Sequence, residues 1–357
     1  MLLALAAQYW LSFGIALLVA LAATPFVRRL AFRVNAVDRP GIRSERGIHN
    51  KPVARLGGVA IFLGFALSVA FTSGLSRQNL GLLAGALVLI IVGAIDDVRP
   101  LKPAPKLLAQ VVAALCLVAA GGRIDWVTNP FGGMFSLGWV GIPLTVLWVV
   151  ALANFVNFID GVDGVAAGAC TISAFTLFFV SLQDGQAFAG LLTAALAGGT
   201  LGFLPYNFNP ATIFMGDSGS MFLGYALASV SVVGTLKSAA AVGLFIPMLA
   251  LGLPILDSLF AIFRRFFSSK PIMVADRDHL HHRLLDRGFS QKKVALVAYA
   301  ISGFFGVSAI AVRDMDKRHG LVTIIVALAV VMGGALRMGL LSVKHEQPAR
   351  GPIKRSM

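Results

Sequence analysis

The fold is decided by a stretch at residues 79–99, which runs NLGLLAGALVLIIVGAIDDVR. Every residue from Leu80 to Ile95 is apolar or glycine, and the run ends at the adjacent carboxylates of Asp96 and Asp97. A helix needs roughly 20 mostly apolar residues to cross a bilayer whose hydrocarbon core is about 30 Å thick. The stretch therefore predicts a membrane-spanning helix that carries two acidic side chains at one membrane surface.

The rest of the chain has the same character. Of its 357 residues, 57% are hydrophobic and 13% are charged, and the mean hydropathy is +0.84. Soluble domains carry about 25% charged residues, so these values exclude a disordered chain, a coiled coil and a disulfide-rich secreted scaffold. We predict an all-α integral membrane protein with about eleven transmembrane helices, at residues 9–27, 56–74, 79–95, 107–121, 138–158, 164–182, 187–205, 219–236, 239–263, 294–312 and 319–341.

The basic residues predict the orientation of these helices. With the N terminus outside, 24 of the 30 Lys and Arg residues fall in inner segments, which is a strong positive-inside bias. The C terminus is then cytoplasmic. We expect one polytopic domain at residues 1–341 and a basic tail at 342–357. The net charge of +14 therefore indicates contact with anionic membrane lipids rather than with nucleic acid.

Polar residues are concentrated at the predicted inner ends of the helices. The first group is Asp96-Asp97, the second follows the fifth span, the third precedes the eighth, and the fourth follows the ninth. The side chains of interest are Asp96, Asp97, Lys106, Asn157, Asp160, Asp163, Asp217, His279, His281 and His282. Crowded carboxylates favour a divalent cation, and oxygen ligands suit Mg²⁺ or Mn²⁺ better than Zn²⁺. Cationic groups facing them would hold phosphate oxygens. The pattern predicts phosphoryl transfer between a soluble phosphate compound and a lipid phosphate, at the cytoplasmic face.

Each group also has a simpler interpretation. Adjacent aspartates at a helix end are usually solvated, and the segment Gly216–Ser220 can be a turn with a helix cap. The histidines could bind a metal, although an anion suits them better because no cysteine lies nearby. Asp257, inside the ninth predicted span, could pair with Arg264 or act in catalysis.

The ordered set of these motifs resembles the polyprenyl-phosphate N-acetylhexosamine-1-phosphate transferases. The resemblance runs from Asp38-Arg39-Pro40 through Arg55-Leu56-Gly57-Gly58 to His279-Leu280-His281-His282, about three quarters of the chain. It implies that undecaprenyl phosphate attacks the sugar-bearing phosphate of a UDP-N-acetylhexosamine. UMP then leaves, and a polyprenyl-pyrophosphoryl sugar stays in the membrane.

The resemblance also implies roles for individual residues. Asp217 and Asn157 match the Mg²⁺ ligands, and Asp96, Asp97 and Asp160 match catalytic acidic residues. The residues that match substrate-binding positions are Lys106 for a phosphate, Asp163 and Phe214 for the uracil ring, and Arg265, His279, His281 and His282 for the sugar and pyrophosphate.

The sequence His-Leu-His-His favours the WecA and TagO branch over phospho-MurNAc-pentapeptide translocase, which carries three consecutive histidines. This branch implies a multi-pass protein of the bacterial inner membrane that acts first in making a cell-envelope polysaccharide such as the lipopolysaccharide O-antigen. A homodimer is compatible with it. The alternatives are the translocase, a CDP-alcohol phosphotransferase, a polyprenyl transferase or a multi-pass transporter. Gly168 and Arg99 stand where the second and third of these would need arginine and a further acid.

Overall fold

A computed structural model describes residues 2–39, 51–128, 134–235, 245–267, 280–313, 315 and 317–337. Within these ranges the protein is mostly helical. The helices are α1 (Leu2–Arg33), α2 (Gly57–Thr72), α3 (Arg77–Val98), α4 (Pro103–Ala119), α5 (Gly141–Ile159), α6 (Val165–Gln183), α7 (Ala187–Asn207), α8 (Gly216–Thr235), α9 (Phe245–Ala250), α10 (Gly252–Phe267), α11 (Leu280–Asp286), α12 (Gln291–Arg313) and α13 (Lys317–Arg337).

The helices coincide with the apolar runs of the sequence. Six described helical segments are long and apolar enough to cross a membrane, namely Leu5–Arg33, Arg77–Val98, Gly138–Ile159, Val165–Gln183, Ala187–Asn207 and Gln291–Arg313. Three further apolar helices are shorter, at Gly57–Thr72, Pro103–Ala119 and His319–Gly334. The chain is thus a multi-pass membrane protein. The total of eleven crossings, the outside N terminus and the cytoplasmic C terminus stay predictions, and the tail at 342–357 lies outside the described residues.

One predicted span is divided in the structure. The segment 239–263 contains two helices, α9 and α10, which meet at Leu251. Pro254 has no N–H to donate to the carbonyl of Ala250, so the helical ladder is interrupted at this point. The Ala250 carbonyl instead accepts a hydrogen bond from Ser173 Oγ on α6, at 2.6 Å. The interruption therefore costs no unsatisfied carbonyl.

Short strands lie in the loops that connect the helices. Strands β1 (Val37–Asp38), β2 (Val53–Arg55) and β5 (Ile213–Phe214) form one sheet, and β3 (Trp126–Thr128) pairs with β4 (Met134–Ser136) in a hairpin. β2 is antiparallel to β1 and parallel to β5, and Arg55 lies opposite Phe214. Strands of two or three residues give no periodic signal, so the all-α prediction missed them.

Helix α8 lies at the centre of the helical bundle. It packs against α2, α3, α5 and α7, and most of its residues are buried, including Phe222 and Tyr225. Tyr225 donates its hydroxyl to the Leu82 carbonyl of α3 at 3.1 Å. Because neighbours surround α8 on several sides, its N-terminal residues have little freedom to move.

Candidate active site

The N-terminus of α8 is capped by a side chain from another helix. Asp97, at the end of α3, accepts hydrogen bonds from the backbone N–H of Asp217 at 2.9 Å and from the N–H and hydroxyl of Ser218 at 3.2 and 2.9 Å. These amides have no partner within the helix, and the positive end of the helix dipole favours a carboxylate there. Asp97 is fully buried, so solvent does not compete for these hydrogen bonds. In this geometry Asp97 positions Asp217. A direct catalytic role for Asp97 stays a prediction.

Glycines allow the close approach that this cap requires. Gly216 has φ +74°, and a Cβ at this position would lie 2.4 Å from Asp97 Oδ2. A Cβ on Gly58 of α2 would lie 2.1 Å from Gly219 N, and one on Gly93 of α3 would lie 2.4 Å from Ser218 Cα. Two neighbouring helices thus touch the first turn of α8 backbone to backbone, and they fix the direction of the Asp217 side chain.

A cluster of alternating charges surrounds Asp217. Lys106 Nζ lies 2.5 Å from Asp217 Oδ2 and 3.3 Å from Asp96 Oδ2. Arg55 places Nη2 3.4 Å from Asp217 Oδ1 and Nε 3.4 Å from Asp97 Oδ1. The Asp217, Lys106 and Arg55 side chains are 14%, 25% and 26% exposed, so a ligand can reach them, whereas the Asp97 side chain is 0% exposed. The cluster brings together two sequence groups that are more than a hundred residues apart.

The end of α5 contributes amides and a fourth carboxylate. Asn157 donates to Ser220 Oγ of α8 at 2.8 Å, and Asn154 exchanges hydrogen bonds with Gln110 of α4. Asp160 caps the C-terminal end of α5 and follows the span. Burial raises the pKa of Asp160 to about 7, because the positive charge of Arg55 offsets only part of the desolvation. Near neutral pH this carboxyl can either hold or accept a proton.

Asp163 occupies a structural position. It is 2% exposed, and its Oδ2 accepts from Asn209 Nδ2 and from the Ala211 N–H, both at 2.9 Å. These contacts tie the turn after α5 to the loop that leads into β5, where Phe214 is partly exposed beside Arg55. The predicted contacts of Asp163 and Phe214 with a uracil ring stay predictions.

The histidine segment packs against the same turn. His281 is buried and packs against Gly161, where an added Cβ would lie only 2.4 Å from His281 Nε2. The ring centroids of His281 and His282 are 4.3 Å apart. Asp257 accepts from the Leu280 N–H at 2.7 Å and so holds the first residue of α11. The Arg265 side chain and His279 lie outside the described residues, and Arg264, the other partner considered for Asp257, has no described side chain. The structure therefore links this segment to the Asp160 turn through His281.

The donor set fits a magnesium ion better than a zinc ion. Among the described residues, no group of three or more His, Cys, Asp or Glu side chains is arranged to hold a metal, so the closed cage of a structural zinc site is not found there. Asp96 and Asp217 share Lys106 and are partly exposed. Mg²⁺ is commonly held by one or two carboxylates, with waters and substrate phosphates completing its shell. Asp217, with Asp96 beside it, could supply these ligands.

Arg55 is a site residue that the sequence interpretation did not assign. Arg55 belongs to the motif Arg55-Leu56-Gly57-Gly58, but it is one of eight basic residues at positions 28–55, and the sequence does not distinguish it from the others. Its placement follows from the pairing of β2 with β5, which holds it opposite Phe214 and close to α8. The two glycines after it, which let α2 touch α8, were the available clue.

The chain belongs to glycosyl transferase family 4. The sequence model of this family matches residues 79–235, which include Asp96, Lys106 and Asp217. Membership is shown by relatives that are at least 30% identical over most of the chain.

Two groups of relatives are similar to this chain. A "probable undecaprenyl-phosphate N-acetylglucosaminyl 1-phosphate transferase" of Bacillus subtilis is 39% identical over 85% of this chain and 84% of its own. A decaprenyl-phosphate N-acetylglucosaminephosphotransferase of Mycobacterium leprae is 34% identical over 90% and 86%. A phospho-N-acetylmuramoyl-pentapeptide-transferase of Desulforudis audaxviator is 31% identical over 84% and 96%. The first two rank above the third, which agrees with the predicted WecA and TagO branch.

Proposed function

We propose that the protein transfers N-acetylglucosamine-1-phosphate from UDP-N-acetylglucosamine to undecaprenyl phosphate. The observation that carries this proposal is the Asp217 cluster, in which Lys106 and Arg55 hold two partly exposed carboxylates at the junction of α3 and α8. The relatives with the higher identities are named for transfer of this sugar phosphate to a polyprenyl phosphate. A site with both charge signs at a helix end suits two phosphate-bearing substrates.

The reaction needs positioning and charge neutralisation more than strong base catalysis. An oxygen of the lipid phosphate attacks the sugar-bearing phosphorus, and the bond from that phosphorus to the bridging oxygen breaks, so UMP leaves. A phosphate monoester has a second pKa of about 6, so the nucleophile is mostly dianionic at neutral pH. Asp96 orients the acceptor by way of Lys106, whose ammonium also neutralises the phosphates. Asp97 holds the α8 N-terminus so that Asp217 keeps its direction.

The metal part of the proposal rests on the donor set alone. Asp217, with Asp96 or Asn157 beside it, would hold Mg²⁺ or Mn²⁺, and the bound ion would neutralise the pyrophosphate. Arg55 and Lys106 already lie against Asp217, so they would face the ion and the phosphates from two sides. We further propose that the site opens to the cytoplasm at the bacterial inner membrane, in accordance with the distribution of Lys and Arg.

The test uses purified protein in mixed micelles with undecaprenyl phosphate, Mg²⁺ and radiolabelled UDP-N-acetylglucosamine. We expect labelled lipid and equimolar UMP to appear, and chelation of the divalent ion to stop both. Asp217→Ala should abolish turnover. Asp125→Ala serves as the matched control, because Asp125 pairs with Arg123 in an ion pair away from the cluster. If no UDP-sugar of a panel releases UMP, or if Asp217→Ala keeps near-normal activity in a folded protein, the proposal fails.

The panel also separates the second candidate. A relative at 31% identity is named as a phospho-N-acetylmuramoyl-pentapeptide-transferase. Activity with UDP-N-acetylmuramoyl-pentapeptide and none with UDP-N-acetylglucosamine would select that reaction.

A further inference from the structure

A groove outside the Asp217 cluster runs along the periphery of the helical bundle, between α1, α2 and α3. It consists of two cavities of about 450 and 580 Å³. Leu30 of α1 and Val59 of α2 line both of them, so the two cavities adjoin. The groove extends from Ile91 to Arg99 along α3, which at 1.5 Å per helical residue is about 12 Å.

The walls of the groove are apolar and exposed. Phe26, Leu30, Ile91 and Ile95 are 67%, 48%, 50% and 49% exposed, although each is a large hydrophobic residue. Helices that present such residues belong to segments long enough to span a membrane. Exposed hydrophobic surface on such helices faces lipid, so the groove is a recess for hydrocarbon rather than for a polar ligand.

The rim of the groove is basic. Arg29 and Arg33 of α1 line one cavity, and Arg99 at the end of α3 lines the other. All three are exposed, and the Arg29 guanidinium lies over the Phe26 ring, 5.8 Å from its centroid. Among the described residues that line the two cavities, none is acidic. Three basic residues from two adjacent helices thus line an apolar recess, two in one cavity and one in the cavity that adjoins it.

We propose that this groove binds an anionic phospholipid of the surrounding bilayer. One acyl chain lies along Ile91 and Ile95, and the phosphate lies among Arg29, Arg33 and Arg99. A free phosphate would leave the apolar recess unused, and a zwitterionic lipid would leave the three cations without net compensation. Basic pockets between helices at the cytoplasmic side bind anionic head groups in this way.

The occupied groove would contact the segments that build the Asp217 cluster. Leu56, in the wall of the groove, directly follows Arg55, and Ile95 and Val98 flank the Asp96-Asp97 pair. A bound lipid would therefore support both β2 and the last turn of α3. This inference does not depend on the proposed transferase reaction, because lipid binding can be measured directly.

The experiment measures lipid retention by native mass spectrometry. Delipidated full-length protein is titrated in detergent with dioleoyl phosphatidylglycerol or dioleoyl phosphatidylcholine. We expect one phosphatidylglycerol to bind at least tenfold more tightly than phosphatidylcholine. The Arg29→Gln, Arg33→Gln, Arg99→Gln triple variant should lose this preference, since each basic residue near an anionic surface contributes roughly a fivefold factor. The control variant removes three exposed lysines outside the groove, Lys102, Lys292 and Lys293, and should keep the preference.

A second variant tests the apolar part. Ile95→Trp fills the recess without changing charge, and we expect it to reduce phosphatidylglycerol binding while thermal stability in detergent stays the same. Equal binding of both lipids by the wild type, or equal losses in the triple and control variants, would overturn the proposal. One-for-one displacement of phosphatidylglycerol by a lower concentration of undecaprenyl phosphate would also overturn it, because the groove would then belong to the acceptor.

Discussion

Asp96 and Asp97 are adjacent and of the same residue type, but alanine substitutions of the two should affect stability and turnover to different extents. Asp97→Ala removes the acceptor of two backbone amides and one hydroxyl at the N-terminus of α8, and it leaves Arg55 without one of its carboxylates. Asp96→Ala removes one Leu101 amide contact at 2.7 Å and the longer contact to Lys106 at 3.3 Å. The first change empties a buried position, whereas the second affects a partly exposed one.

The magnitudes follow from burial. Removing one partner of a buried charged network costs about 3–5 kcal/mol, and each hydrogen bond to a charged group contributes about 1.5–3 kcal/mol. We therefore expect Asp97→Ala to lower the free energy of unfolding by about 3–5 kcal/mol. Solvent replaces part of what Asp96 loses, so Asp96→Ala should cost about 1–2 kcal/mol. For a chain of 357 residues, this difference of about 2.5 kcal/mol corresponds to a difference in Tm of about 3 °C.

The assay is thermal unfolding of both variants in the same detergent, followed by the rate of UMP release below both melting temperatures. We expect Asp97→Ala to melt well below Asp96→Ala, and Asp96→Ala to lose at least 100-fold in turnover while it stays folded. Asp97→Asn, which keeps an acceptor oxygen of the same size, should recover part of the lost Tm. The capping argument is refuted if Asp97→Ala melts within 1 °C of the wild type, or if Asp96→Ala is the less stable of the two.

Three further predictions test other parts of the structure. Lys106→Gln should lower turnover at least 100-fold, because Asp96 and Asp217 lose their shared cation. Lys102→Gln, which changes an exposed lysine nearby, should alter turnover less than twofold. Similar losses in both variants would contradict a role for Lys106 in the site. Gly93→Ala should destabilise the protein by about 3 kcal/mol, because the new Cβ would lie 2.4 Å from the backbone of α8. Gly14→Ala, where no atom lies within 4 Å of the new Cβ, should be neutral or stabilising. If the two variants gave the same unfolding curve, α3 would have moved away from α8. Asp163→Ala should lower the Tm and speed proteolysis near residue 210, because two hydrogen bonds to that loop are lost. If this substitution instead raised only the KM for the UDP-sugar and left stability unchanged, the result would support contact between Asp163 and the uracil ring.

Much of the architecture was predictable because helices within a membrane are specified locally. Each span must satisfy its own backbone hydrogen bonds and cover itself with apolar side chains, so its position is written in consecutive residues. For this reason the described parts of the predicted spans are helical apart from the break at Leu251, and Asp96, Asp217 and Asp160 fall at helix ends. The interruption at Leu251 is a local exception, which depends on Pro254 and on a hydroxyl that Ser173 supplies from another helix.

The details of the candidate site were less predictable, because they depend on contacts between distant segments. Asp97 and Asp96 are adjacent in sequence, but one faces α8 and is buried, and the other faces Lys106 and is partly exposed. A helix turns about 100° per residue, so the choice between them is made by which neighbour lies on each side. For Asp163 the structure adds hydrogen bonds to the 209–211 loop, and its expected contact with a ligand stays a prediction.

The sequence by itself determined the membrane class, the positions of the helices and the residue types of the polar clusters, because hydrophobic runs and charges act over neighbouring residues. Only the tertiary structure decided that Asp97 caps α8, that Arg55 joins the site and that a basic apolar groove lies beside both. These features require backbone approaches at Gly58 and Gly93 and the pairing of β2 with β5. Such approaches depend on packing between helices that are far apart in the chain, and the order of residues along one helix does not contain that information.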